Sequence, residues 1–161
     1  MKYAKIAKKV EDLLIKSNVQ IERLSEPEIV ALIHRWMSVY APKEKKGKTA
    51  RVFQKGQCFW SIFRSIEDFV EGSDAIKCYL KQYPAEYYVF GTNPYFGFRC
   101  KGSYVDFFHD DIYVCHHNLK WTIFFTHEMD FGLGPYFSAL APSKELKRKF
   151  GEHALLRKSS H

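Results

Sequence analysis

Residues 111–128 read DIYVCHHNLKWTIFFTHE: two apolar runs on either side of the polar group His117-Asn118-Leu119-Lys120. Short β-branched and aromatic runs joined by so few polar residues predict a tight β-hairpin. With the turn at Asn118-Leu119, His116 falls opposite Trp121, Val114 opposite Ile123, Ile112 opposite Phe125 and Asp110 opposite His127. Side chains alternate across a strand. Ile112, Val114, Trp121, Ile123 and Phe125 therefore share one face, and Tyr113, Cys115, Thr122 and Phe124 share the other. A strand pair half-covered by water alternates apolar with polar, whereas this one is apolar on both faces. It belongs in the middle of a sheet that is covered on both sides.

Tyr87-Tyr88-Val89-Phe90 reads as a strand closed by Gly91 and Asn93-Pro94, and Phe96–Lys101 as another. Cys58–Phe63, aromatic and β-branched, is a further expected strand. Ser73-Asp74 is expected to cap a short helix through Ile76 and Leu80 to Tyr83, stopped by Pro84. FGLGPYF (131–137) reads as a backbone turn that feeds two buried aromatics, Tyr136 and Phe137. Before the strands, Ile6, Val10, Leu13 and Leu14 lie at helical spacing with Lys5, Lys8, Lys9 and Asp12 opposite, which predicts an amphipathic helix. Ser25-Glu26-Pro27-Glu28 is a capping box for a second helix through Ile29, Leu32, Ile33, Trp36 and Met37, ending before Pro42. A terminal helix is expected over 143–157, and it could supply part of the sheet's cover. Helices at both ends with strands clustered between them predict an α+β domain built on a mostly antiparallel sheet of four to six strands. The organisation expected is one domain over 1–161: a helical region at 1–42, a basic connector at 43–56, a sheet region at 57–140 and the C-terminal helix.

The composition supports a self-sufficient core. Of 161 residues, 46% are hydrophobic and 17% aromatic, the opposite of a disordered chain. Cys58, Cys78, Cys100 and Cys115 form no CxxC pair and no zinc spacing. Lys8, Lys9, Glu11 and Asp12 interrupt the place where a signal peptide would have its apolar stretch, and no run of about 18 apolar residues occurs. A cytoplasmic protein with reduced, mostly buried thiols is the expectation.

The net charge of +7 is unevenly distributed. Residues 1–55 hold 13 Lys/Arg against 6 Asp/Glu, residues 56–142 hold 6 against 10, and residues 143–161 hold 6 against 2. A mildly acidic aromatic centre thus lies between basic ends. Lys43, Lys45, Lys46, Lys48, Arg51 and Lys55 in the connector are candidate partner-binding residues. With Tyr95, Phe96 and Phe98 as stacking rings, they support an alternative reading as a nucleic-acid-binding domain. Against that stands the lack of any RNP, KH, zinc-finger or helix-turn-helix signature.

The residue types that carry catalysis cluster at His109-Asp110-Asp111, His116-His117 and His127-Glu128. The hairpin register places Asp110 beside His127, and a carboxylate that orients an imidazole suits a general base or a metal ligand. That pair is the candidate catalytic site of a second alternative, a hydrolase or metal-dependent enzyme. The plain reading makes it a cross-strand structural pair. His116 and His117 lie at the far end of the ladder, roughly 17–20 Å away at about 3.4 Å per residue, so one site does not use both groups. No GxSxG elbow and no GxGxxG or GxxxxGK[ST] phosphate loop is present. No cofactor and no metal is expected.

Trp60-x-x-Phe63, Glu71-Gly72-x-x-Ala75, Tyr88-Val89-Phe90, Asp111-Ile112-Tyr113-Val114, Trp121-Thr122, Thr126-His127-Glu128 and Gly134-Pro135-Tyr136-Phe137 follow one another in an order that resembles a family of small, uncharacterised bacterial proteins classed as a domain of unknown function. The likeness spans roughly residues 58–138. The family has histidine after the first tryptophan where this chain has Ser61, so no role of that histidine carries over. The resemblance implies a bacterial cytoplasmic protein and brings no catalytic residues with it. By analogy with other small, aromatic-rich bacterial domains, the expected function is non-enzymatic: an immunity protein that binds and neutralises a cognate protein toxin.

Overall fold

Ile112 pairs with Phe125, Val114 with Ile123 and Cys115 with Thr122, the register expected from the hairpin's sequence. The computed structural model describes residues 2–40, 69–82, 86–91, 95–107 and 110–140. The expected strand at 58–63, the basic connector and the helix at 143–157 lie outside the described residues. In chain order the elements are α1 (Lys2–Lys16), β1 (Gln20–Arg23), α2 (Glu26–Tyr40), β2 (Val70–Glu71), α3 (Ser73–Leu80), β3 (Glu86–Gly91), β4 (Gly97–Lys101), β5 (Ile112–His116), β6 (Trp121–Phe125), a single 3₁₀ turn (Met129–Phe131) and β7 (Tyr136–Ala139). The strands form one sheet in the order β1-β4-β3-β5-β6-β7-β2, with every neighbouring pair antiparallel. This is an α+β fold.

The expected hairpin does sit at the centre, and every residue of β5 and β6 is buried. One core gathers Ile112, Val114, Trp121, Ile123 and Phe125 against Ala7, Val10 and Leu14 of α1 and Ala75, Cys78 and Tyr79 of α3. The other gathers Tyr113, Cys115 and Phe124 against Ile29, Leu32, Ile33, Trp36, Met37 and Tyr40 of α2. Each fully buried ring or aliphatic side chain contributes about 1.5–3 kcal/mol, so the two layers together hold most of the folding energy. Tyr113 illustrates the packing. It stacks on Phe124 with ring centroids 4.4 Å apart and on Phe90 at 5.1 Å, while Trp36 meets it edge-on at 5.0 Å. Polar ties pin α2 to the same surface. Trp36 Nε1 donates to Thr122 Oγ1 (2.9 Å), that hydroxyl donates to the Val114 carbonyl (3.1 Å), and Tyr40 Oη donates to the Leu119 carbonyl (2.6 Å).

The sheet has seven strands among the described residues, more than the four to six expected, and the addition of β1 has a local cause. At the end of α1, Asn18 adopts a left-handed conformation (φ 58°). Its N–H bonds to the Ile15 carbonyl (3.0 Å), and the Val19 N–H reaches back to the Leu14 carbonyl (3.0 Å). These two bonds, with Val19 and Leu14 in one apolar cluster, make a Schellman stop. The chain is thereby turned straight into β1, which pairs with β4 from Gln20↔Lys101 to Arg23↔Phe98.

The start of α2 follows its sequence signal. Glu28 Oε2 accepts from both the backbone N–H (2.7 Å) and the hydroxyl (2.6 Å) of Ser25, and the hydroxyl bond, then the amide bond, holds the Glu28 carboxyl below its ordinary pKa. The start of α3 departs from expectation. Gly72 occupies the N-cap position without a side-chain bond, and Ser73 is already the first helical residue, because Gly72 takes the positive φ (66°) needed to turn out of β2. Close approach of α2 to the sheet depends on Gly97, where a Cβ would stand 2.9 Å from Ile29 Cγ1.

Candidate functional site

Two of the chemically able groups, Asp110-Asp111 and His127-Glu128, meet at the end of the sheet where β5 begins and β6 ends. The ladder closes at Ile112↔Phe125, and from Thr126 the chain leaves it. Had the strands run on, Asp110 would face His127, as the register alone predicts. Instead Asp111 takes the histidine. His127 Nδ1 lies 2.9 Å from both Asp111 carboxylate oxygens, and the His127 backbone N–H donates to Asp111 Oδ1 at 3.1 Å. Asp110 pairs with Lys9 of α1 instead. Once pairing stops, the nearer carboxylate satisfies the backbone donor released at the strand end, and the ring follows its own backbone.

A carboxylate acceptor at Nδ1 places the proton there and the lone pair on Nε2, the arrangement used to orient an imidazole base. The His127 side chain is 54% exposed, in high-dielectric surroundings where such a pair gains little. Among the described residues no group of three or more His, Cys, Asp or Glu side chains is placed to hold a metal ion.

Directly after His127 the chain makes a tight, internally bonded turn. Met129 N–H donates to the Thr126 carbonyl (3.4 Å), Phe131 N–H (2.9 Å) and Leu133 N–H (3.3 Å) to that of Glu128, and Gly132 N–H (3.0 Å) to that of Met129. Glu128 N–H adds a bond to the Thr126 hydroxyl (3.2 Å). Gly132, left-handed at φ 75°, ends the 3₁₀ turn, and Met129 packs against the first core. The result is a short backbone platform that holds Phe131 83% exposed, the most exposed large apolar side chain described. Sequence reasoning missed this residue. FGLGPYF reads as a turn that feeds two buried aromatics, and among 14 phenylalanines nothing in that reading singles out Phe131. The signal that could have found it is the spacing to Gly132 and Gly134, which leaves no strand or helix for Phe131 to bury into. Tyr136 and Phe137, by contrast, are buried as expected.

The remaining candidates are dispersed. His116 and His117 lie at the other end of the hairpin, as expected. Of the proposed stacking rings, Phe96 and Phe98 are buried, because alternation in β4 and its approach turns them into the core; only Tyr95 (68% exposed) stays outside, stacked on Tyr3 with centroids 4.9 Å apart. Lys43, Lys45, Lys46, Lys48, Arg51 and Lys55 lie outside the described residues. Cys78, Cys100 and Cys115 are buried thiols. Burial pushes Cys100 up to about 12 and raises Cys115 further, which makes both poor nucleophiles. Among the described residues no helix is long and apolar enough to cross a membrane. In comparisons of the chain with protein-family models, curated proteins and solved structures, nothing matches.

Proposed function

We propose that this chain is a bacterial interaction protein of the immunity type, acting in the cytoplasm, which binds and neutralises a cognate protein toxin through the sheet end that carries Phe131. The observation that carries this reading is the ring itself: a large apolar side chain held in solvent on a turn whose backbone is already bonded. Burying such a ring in a partner releases its apolar surface from water, and the rigid backbone beneath it loses little conformational freedom. Anchors of this kind dominate binding energy. Asp110, Asp111, Glu128 and Asp130 belong to the same end of the sheet, with the ammonium of Lys9 beside Asp110 and the imidazole of His127 beside Asp111. The complementary surface is therefore an apolar pocket rimmed by lysine or arginine, such as the mouth of a basic nuclease cleft, and the carboxylates favour fast capture.

The test is titration of the purified protein against toxin domains encoded beside its gene, by calorimetry and by inhibition of the toxin. Phe131→Ala is expected to weaken binding about 30-fold or more, on the order of 2 kcal/mol, with folding unchanged. A nanomolar complex indifferent to Phe131→Ala would remove this surface from the reading, and inhibition by none of the neighbouring toxins would remove the immunity role. The oriented His127–Asp111 pair favours a second reading, general-base catalysis at His127. It requires that His127→Asn abolish a hydrolytic activity while Phe131→Ala spares it.

A further inference from the structure

At the opposite end of the hairpin, the tip is held by a hydrogen bond that only a neutral imidazole can make. His116 is buried, and its Nδ1 accepts the backbone N–H of Asn118 at 3.1 Å. The ring proton is therefore on Nε2. His117 plays the reverse part: its Nδ1–H donates to the Glu86 carbonyl (3.0 Å), which its backbone N–H also meets (3.1 Å). The two imidazoles lie with centroids 4.3 Å apart. Leu119 follows in a left-handed conformation (φ 56°), which a leucine adopts only where its surroundings impose it. Its N–H bonds to the His116 carbonyl (2.7 Å).

This small turn anchors distant parts of the fold. The Leu119 carbonyl accepts the Tyr40 hydroxyl at the end of α2, and the Lys120 carbonyl accepts the Leu140 N–H just past β7. Every one of these ties passes through the turn whose first bond depends on His116.

We propose that His116 is a proton-operated latch: protonation of Nδ1 releases the Asn118 amide, loosens the left-handed turn at Leu119 and uncouples the tip from the end of α2. A protonated Nδ1 is a donor facing another donor, so the bond turns repulsive. Around the ring, the titratable and charged groups of the tip are His117 and Lys120, and both work against a cation at His116. From β3, Tyr87 stands opposite in register with its hydroxyl given to the Ser103 carbonyl, and the Glu86 carboxylate is engaged by Arg99 and Lys101 of β4. β6 contributes the neutral Trp121, edge-on to the His116 ring. Burial first, then His117 and Lys120, set the titration of His116 below the ordinary imidazole range. With the folded value depressed, neutral His116 supports the closed tip above that ordinary range. The support is lost as pH falls through the depressed titration.

The test is an NMR titration of the intact protein, following the His116 ring resonances together with amide exchange at Asn118 and Leu119. As His116 protonates, exchange at both amides is expected to rise at least tenfold beyond its intrinsic pH dependence, while the centre of β5 stays protected. His116→Asn supplies a neutral acceptor at nearly the place of Nδ1 and is expected to abolish that pH-dependent opening. Unchanged protection at Asn118 after His116 has titrated overturns the latch, and so does opening with the same pH profile in His116→Asn. The wild-type titration decides the matter by itself if the variant fails to fold. Toxin binding does not enter the readout, so this inference and the proposed function fail separately.

Discussion

Thr122→Val tests how far the second core depends on one hydroxyl. Thr122 is fully buried in β6, where its Oγ1 accepts from Trp36 Nε1 at 2.9 Å and donates to the Val114 carbonyl at 3.1 Å. Valine keeps the branched shape but leaves the indole N–H facing a methyl group. A buried donor stripped of its acceptor costs about 1–3 kcal/mol. For a chain of this length each kcal/mol lowers Tm by roughly 2–4 °C, so a fall of about 2–12 °C is expected. Equilibrium urea unfolding followed by circular dichroism measures the change, and the slope against urea should stay constant while the midpoint drops. Trp36→Phe removes the donor and lets a double-mutant cycle isolate the bond: the double variant should be more stable than the summed losses imply, by at least about 0.5 kcal/mol. A Thr122→Val cost below about 0.5 kcal/mol, or strict additivity in the cycle, would refute the reasoning. Trp36 would then hold α2 by ring packing alone.

Two further outcomes follow from positions described above. Gly134→Ala places a Cβ 2.7 Å from Thr126 Cγ2 at a residue with φ 79°, so the variant should lose at least about 1–2 kcal/mol by thermal unfolding; an unchanged Tm would show that the turn below Phe131 relaxes freely. Cys78, Cys100 and Cys115 should resist iodoacetamide at pH 8 in the native protein and react on denaturation, read by peptide mass spectrometry; rapid native alkylation of Cys100 would contradict its burial and raised pKa.

What the sequence made legible tracks where the physical signal is local. The 111–128 hairpin carries its register and both buried faces in its alternation, and the Ser25–Glu28 cap announces α2. β1 shows no such pattern. QIER has one half-buried apolar residue, and it becomes a strand because Asn18 stops α1 and delivers it to the edge of β4. β2 is two residues long and exists only through its pairing with β7. The choice of Asp111 over Asp110 depends on where the ladder stops, a tertiary fact. Phe131 was hidden for a compositional reason: among so many core rings, one that faces water has no distinguishing letter.

The order of strands also bears on how the chain is made. β1 leaves the ribosome before its neighbour β4, which follows only about 75 residues later, at Phe98 for Arg23. At about 5–20 residues per second that is a delay of roughly 4–15 s. During it the oily side of α2, with Ile29, Leu32, Ile33 and Trp36, has no sheet to rest on. The nascent chain is most in need of a chaperone's shelter in that interval, before the central strands have emerged.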